Sequence, residues 1–159
     1  MKKINLSVVA VLFTVMLFAG SLTRQSELLA QESNITTVQS KQSFKNTVKE
    51  VRKLVAKNGM MVLAELNQGK ILSMTGLSVK AISLFVGNPQ VGKKLFTQDH
   101  AVGIAVPVRL NIYEGTNGKT YVNYFKPSEQ FASFKNKKIQ MIAKMLDKKM
   151  AMLTGMLSK

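Results

Sequence analysis

The stretch VKAISLFVGNPQVGKKLFTQDHAVGIAVPVRLNIYEGTNGKTYVNY, residues 79–124, decides the fold of this chain. Residues 79–86 form an apolar run that predicts a central strand buried on both faces. Gly87-Asn88-Pro89 predicts a sharp turn, because glycine tolerates positive φ and proline fixes its own φ. Asn117-Gly118 lies between two alternating runs and predicts a hairpin. The stretch therefore predicts neighbouring antiparallel strands around a short basic segment.

Upstream of this stretch, the pattern predicts a strand, a helix and a second strand. The β-branched residues 35–38 predict a short first strand. Ser43 is the predicted N-cap of an amphipathic helix that ends at Asn58-Gly59. Residues 60–66 form a short run that is apolar apart from Glu65 and is bounded by turn residues, so they predict a buried strand. Residues 104–114 predict a long strand.

Pro107 lies inside that last predicted strand. Proline has no N–H to donate to a neighbouring strand, and it is confined to edge strands and bulges within sheets. We therefore expect an edge position or a bulge at Pro107.

The chain ends in a basic, methionine-rich segment, residues 128–159. Ser128 is its predicted N-cap, and most of its apolar residues recur on one side of a long amphipathic helix. Its lysines are candidates for a membrane-binding or partner-binding surface: Lys135, Lys137, Lys138, Lys144, Lys148 and Lys149. Three alternatives stay open, namely packing on the sheet or on a second subunit, lying on a membrane surface, and binding a partner through flexible methionines.

The first 30 residues have the order of a secretory signal peptide. Lys2-Lys3 precede an apolar run, residues 8–19, and a polar segment follows. As a helix this run spans roughly 18 Å, short of the roughly 30 Å hydrocarbon core, so cleavage is favoured over the alternative of an uncleaved membrane anchor. We expect an exported protein, periplasmic or secreted, with a domain over residues 31–127.

The composition restricts the chemistry and the partners. There is no cysteine, which excludes disulfides, thiolate metal sites and cysteine nucleophiles. The 23 Lys and Arg against 8 Asp and Glu give a net charge of +15. Such a charge attracts anionic lipid or an envelope polyanion, and an exported protein seldom meets nucleic acid. The alternative is that the lysines serve only solubility.

Several pieces of the chain, in order, carry a family resemblance. They include Ala64-Glu65-Leu66, Phe85-Val86-Gly87-Asn88-Pro89 and Tyr113-Glu114. Over about residues 40–127 the chain resembles the DUF302 family, a domain of unknown function. The resemblance implies a two-layer α+β fold, with helices packed on a mostly antiparallel mixed sheet, and a homodimer without established activity. Asn67-Gln68 stand where the family usually has Asp-His, and Ala105 stands where it usually has Asp.

The residues that carry chemistry do not form a recognised catalytic or metal-binding motif. His100 is the only histidine and lies beside Asp99, which gives too few groups for a metal site. The segment from Gly87 to Lys94 departs from a phosphate loop at its last position. We expect no catalytic residues, metal or cofactor. The residues that we consider for ligand binding are Gly87, Asn88, Lys93, Lys94, His100, Tyr113 and Tyr124.

Three functions are compatible with these patterns. The first is an exported, non-catalytic protein of the cell envelope that binds a ligand or a partner. The second is an enzyme of unidentified activity with a site near Asn88, His100 and Tyr113. The third is a peripheral membrane protein that binds anionic lipid through its C-terminal helix.

Overall fold

Five strands form one sheet in the computed structural model, which describes residues 34–159. The strands are β1 (Ile35–Ser40), β2 (Met61–Leu66), β3 (Ala81–Gly87), β4 (Val108–Glu114) and β5 (Thr120–Phe125). Their order is β1-β5-β4-β3-β2. Every pairing among the described strands is antiparallel, so the α+β fold is confirmed, whereas the parallel component of a mixed sheet is not found there.

Five helices accompany this sheet in residues 34–159. They are α1 (Phe44–Lys57), α2 (Gln68–Ser73), α3 (Pro89–Phe96), α4 (Pro127–Gln130) and α5 (Lys137–Gly155), and a 3₁₀ turn spans His100–Ile104. The alternation of residues along β4 shows which face of the sheet the helices cover. Val108, Leu110 and Ile112 are buried against α1 and α5. The residues between them lie on the opposite face of the sheet.

Helix α5 contributes to two hydrophobic clusters within the compact unit Ile35–Lys159. Met150, Leu153 and Leu157 join α1 and the sheet. Near its start, Ile139 packs with Leu95 of α3 and other buried residues. The first alternative for the C-terminal helix, packing on the fold, therefore holds for its inner face.

Two hydrogen-bonded connections join the ends of this unit. Strand β1 pairs with β5 along its whole length, from Ile35 opposite Phe125 to Ser40 opposite Thr120. The Lys41 amide also donates to the Leu157 carbonyl at 3.2 Å. The start and the end of the described chain are thus hydrogen-bonded within the same fold.

The predicted burial of two strands is wrong in detail. Strand β2 is an edge strand, and five of its six residues are exposed. An apolar run cannot distinguish an edge strand from a buried one, because the run does not specify its neighbours. Strand β3 lies between β2 and β4, but its second face is only partly covered, with Ala81 and Phe85 half-buried.

The predicted strand over residues 104–114 begins later than expected. Residues His100–Ile104 form the 3₁₀ turn, and β4 starts at Val108, directly after Pro107. Strand β4 is the central strand, so the expected edge position is wrong. Pro107 stands outside the strand, where its missing N–H removes no hydrogen bond from the sheet. The hairpin of β4 and β5 is confirmed, with Gly118 at φ 72°.

The single C-terminal helix that starts at Ser128 is also wrong. The four-residue α4 ends at Gln130, and α5 begins only after Asn136. The Asn136 side-chain oxygen accepts hydrogen bonds from the amides of Lys138 and Ile139, and so caps a new helix. Phe131 is fully buried at the break, which fixes α4 against the fold.

Candidate functional site

An apolar cavity of about 220 Å³ lies where β3 ends and α3 begins. Its lining includes the turn residues Gly87 and Asn88, which the sequence had indicated. The apolar side chains around it come from β2, β3, β4, α3, α5 and the residues that precede β2 and β4: Met60, Leu63, Val86, Pro89, Val91, Leu95, Phe96, Val106, Pro107, Val108 and Leu146. Leu63 and Phe96 are 50% and 42% exposed, so the edge of the cavity is open to solvent.

Asn88 positions the helix that covers this cavity. Its side-chain oxygen accepts hydrogen bonds from the amides of Gln90 at 2.8 Å and Val91 at 3.2 Å. Its amide nitrogen donates to the Gly59 carbonyl at 2.6 Å. Asn88 therefore caps α3 and joins it to the end of α1, and these contacts use both ends of its side-chain amide. The structure assigns Asn88 a positioning role at the cavity wall.

Replacing Asn88 by alanine should cost about 1–3 kcal/mol of unfolding free energy, since both a helix cap and a hydrogen bond between elements are lost. The matched control is Asn136→Ala, which removes an equivalent two-amide cap from α5. Urea denaturation of both variants should show the larger loss for Asn88→Ala, by about 1 kcal/mol. Equal losses would show that the bond to Gly59 contributes nothing.

The glycines of the cavity differ in the room around them. A Cβ at Gly87 would lie 3.0 Å from the Leu63 Cδ1 atom, so glycine there lets the β2 side chain approach closely. A Cβ at Gly92 would meet no atom within 4 Å. Gly92 therefore offers a place where the cavity can be filled by substitution.

A second concave surface, the lysine groove, lies between α3 and α5. It has a volume of about 640 Å³. Its lining is Gln90, Lys93, Lys94, Thr97, Gln98, Lys138, Met141 and Ile142. The fold thus brings Lys93 and Lys94 together with Lys138, and none of these lining residues carries a carboxylate. The arrangement suits an anionic group.

The remaining candidate ligand residues lie elsewhere. His100 is exposed at the start of the 3₁₀ turn, and the adjacent Asp99 carboxylate accepts from the Ala101 amide at 2.8 Å. Tyr113 stacks on Tyr121, with ring centroids 5.5 Å apart, on the sheet face opposite α1 and α5. Tyr124 is buried in the core. None of His100, Tyr113 and Tyr124 lines the cavity beside Asn88.

The candidate surface lysines are also not equivalent. Most of them are exposed, namely Lys135, Lys137, Lys138, Lys144 and Lys148. Lys149 is half-buried, and its Nζ donates to the Asn58 carbonyl at 2.8 Å. Lys149 therefore supports the contact between α5 and the end of α1.

The positions that depart from the family pattern have structural contacts here. Asn67 caps α2 by accepting from the Lys70 amide at 2.9 Å. Gln68 donates to the Ser83 hydroxyl at 2.5 Å. Ala105 is buried in the cluster around Leu95. In residues 34–159, no three His, Asp or Glu side chains are grouped to hold a metal ion.

Sequence reasoning missed most of the cavity wall. Val91 and Leu95 are four residues apart, which signals one apolar helix face but does not distinguish a cavity wall from a filled core. Met60 and Leu146 are far apart in sequence, and only the fold brings them together. Gly92 is a poor helix former inside α3, and it was the one local sign in the sequence that this helix face is not filled.

Comparison with known proteins gives three findings. The model of the family described as "Domain of unknown function DUF302" matches residues 36–157. The chain is 28% identical over 98 residues to the fluoride-specific ion channels FluC 1 of Brucella suis and Brucella abortus. This match covers 61% of the chain but only 39% and 36% of those proteins. In residues 34–159, no helix is both long and apolar enough to cross a membrane.

The third finding concerns the fold. The crystal structure of an uncharacterized conserved DUF302 protein from Bacillus stearothermophilus superimposes with a TM-score of 0.73. The match covers 79% of this chain and 98% of that protein, at 22% sequence identity. The likeness therefore concerns the architecture alone.

Proposed function

The chain belongs to the DUF302 family, and we propose that it is an exported, non-catalytic protein of the cell envelope that binds an apolar ligand in the cavity beside α3. The cavity is the observation that carries this proposal. An apolar cavity of roughly 150 Å³ in another protein takes up benzene, so about 220 Å³ is enough for a small apolar molecule or part of a larger one.

The chemistry of the lining defines the ligand class. Its one polar side chain is that of Asn88, whose amide already has partners in the protein. A charged ligand group would lose its hydration there without gaining a counter-charge. The part of the ligand that enters the cavity is therefore neutral and apolar, with any polar part at the mouth near Leu63 and Phe96.

The non-catalytic part of the proposal follows from where the titratable groups lie. General acid–base or nucleophilic catalysis requires such groups around one bound substrate. The cavity lining contributes none, and His100 lies outside it. The alternative enzyme would need His100 and Tyr113 at the site of Asn88.

Two observations support the envelope location. The first 30 residues have the charge and hydropathy order of an export signal. The Brucella relatives are named as ion channels, which lie in membranes, and the partial similarity to them agrees with this location. The homodimer implied by the family resemblance stays a prediction.

The cavity is tested with benzene as a probe. Benzene should shift the NMR signals of the methyl groups of Met60, Leu63 and Leu95 in the unmodified protein, and these shifts should be lost in Gly92→Phe, whose ring fills the space. Gly92→Ala is the matched control. It should keep the benzene shifts and gain roughly 0.5–1 kcal/mol of stability, because alanine replaces glycine within a helix.

Two results would contradict the proposal: no benzene-dependent shift in the unmodified protein, or shifts that persist in a folded Gly92→Phe variant. Native mass spectrometry of protein purified gently from its own envelope extends the test to the natural ligand. The proposal expects an adduct on the unmodified protein and on Gly92→Ala that is absent from Gly92→Phe.

A further inference from the structure

The outward face of α5 carries a row of exposed methionines. Met141, Met145 and Met152 are 71%, 43% and 51% exposed, and Met156, directly after the helix, is 42% exposed. With 3.6 residues per turn, these four positions fall within an arc of about 60°. Met150 of the same helix is fully buried, so the helix has two distinct apolar faces.

Lysines flank the methionine row on both sides. Lys137, Lys144 and Lys148 fall on one side and Lys138 on the other, and all four are exposed. The one acid of α5, Asp147, accepts a hydrogen bond from the Ser128 amide at 2.9 Å and is half-buried. The outward face of α5 is therefore cationic along its edges and apolar along its centre.

The lysine groove extends this face toward α3. Lys138 and Met141 belong both to the groove and to the outward face of α5. Across the groove, Lys93 and Lys94 add two exposed cations. The result is one connected surface, which we call the docking face: Lys93, Lys94 and Lys138 at the groove, and Met141, Met145, Lys144, Lys148 and Met152 along α5.

From this surface we propose that the protein docks on a bilayer that contains anionic phospholipid. The methionines enter the boundary between headgroups and acyl chains, and the lysines contact lipid phosphates around them. A central apolar row with lysines on its flanks is the arrangement of helices that lie in the membrane interface. Charge complementarity with anionic lipid selects this occupant, because the docking face carries no carboxylate to meet a basic partner.

The fold prepares this face before any membrane is met. The inner face of α5 is held by Met150, Leu153 and Leu157 in the core. The helix therefore does not have to form on binding, and the ordering cost that an unfolded peptide meets at a membrane is avoided. This inference is independent of the proposed ligand cavity. Helices α3 and α5 contribute to both, but no residue of the docking face lines the cavity.

The test uses residues 31–159, which contain the whole compact unit Ile35–Lys159. A separately crystallised protein has the same architecture. Binding is measured by vesicle flotation, with vesicles of phosphatidylcholine alone and with about 30% phosphatidylglycerol added. We expect binding only to the anionic vesicles and its loss at about 0.5 M salt, where charges are screened within a few ångströms.

Two variants divide the face into its parts. Lys138→Gln/Lys144→Gln/Lys148→Gln should weaken binding to anionic vesicles at least tenfold, since each lysine near an anionic surface contributes to attraction. Met141→Gln/Met145→Gln/Met152→Gln keeps the charge and should also weaken binding several-fold. Lys41→Gln/Lys45→Gln/Lys57→Gln is the matched control for net charge, because these three exposed lysines lie outside the docking face.

Thermal melting confirms that each variant is folded before its binding is compared. The proposal is overturned if both vesicle types bind equally, or if the control triple variant loses as much affinity as the docking-face lysine variant. It is also overturned if the methionine variant binds as tightly as the unmodified protein, since the face would then be an electrostatic contact for soluble anions.

Discussion

A chain that ends at residue 127 is expected to be unfolded, although the composition changes there as if a domain ended. Such a chain lacks seven buried apolar side chains: Phe131, Ile139, Ala143, Leu146, Met150, Leu153 and Leu157. Each of the six large side chains contributes about 1.5–3 kcal/mol through burial, so the loss is comparable to the roughly 5–15 kcal/mol of net stability of a typical domain.

Circular dichroism and amide NMR dispersion measure this directly. Residues 31–159 are the control and should show a cooperative thermal transition, whereas residues 31–127 should show none. A cooperative transition in the shorter chain would mean that α4 and α5 are additions to a domain that is complete without them. The structure argues otherwise, because Leu153 packs in the same cluster as Leu110 of the central strand.

The second large effect is expected at Met150. This side chain is fully buried among α1, α5 and the sheet, and Met150→Ala should cost about 2–5 kcal/mol through lost burial and the cavity left behind. Met152→Ala is the matched control on the same helix. Met152 is 51% exposed, and its replacement should change stability by less than about 0.5 kcal/mol.

Urea unfolding curves of the two variants provide the comparison. The difference in unfolding free energy between them would show that the Met150 face of α5 stabilises the fold, whereas the Met152 face belongs to the docking face. Similar losses in both variants would contradict the assignment of Met152 to a free surface, and would indicate that it is covered in solution.

The sequence allowed the elements with strong local signals to be predicted. Asn117-Gly118 predicted the hairpin because the turn needs a residue that tolerates positive φ, and Gly118 has a positive φ. The helix Phe44–Lys57 followed from its regular apolar spacing. The α+β class followed from the resemblance, which the family match over residues 36–157 confirms.

The predictions from sequence were wrong where the burial of a strand depends on which strands lie beside it. Residues Met61–Leu66 are apolar except for Glu65, and this single charge, which is typical of an edge strand, was outweighed by the apolar residues around it. Pro107 suggested an edge for a strand that starts one residue later, at the centre of the sheet. Both errors come from reading a local pattern as if it contained the strand order.

The candidate sites could be predicted only in part, because a local pattern does not show which distant residues the fold brings together. Gly87 and Asn88 were predicted as turn residues, and both line the cavity. The hydrogen bonds of the Asn88 side chain, however, serve the turn and the helix start and not a ligand. Lys93 and Lys94 were candidates for anion contact, and the fold adds Lys138 across the groove. No local rule connects residues on α3 and α5, because their proximity comes from packing.

The pairing of β1 with β5, and of Lys41 with Leu157, has a consequence for when this protein acquires its structure. A chain that emerges amino end first presents β1 long before its partner strand exists. Contacts so distant in sequence are slow to form, and the pairing of β1 with β5 cannot form before residue 125 has been synthesised. Strand β1 therefore joins the sheet only after β5, the last of the described strands, has been synthesised.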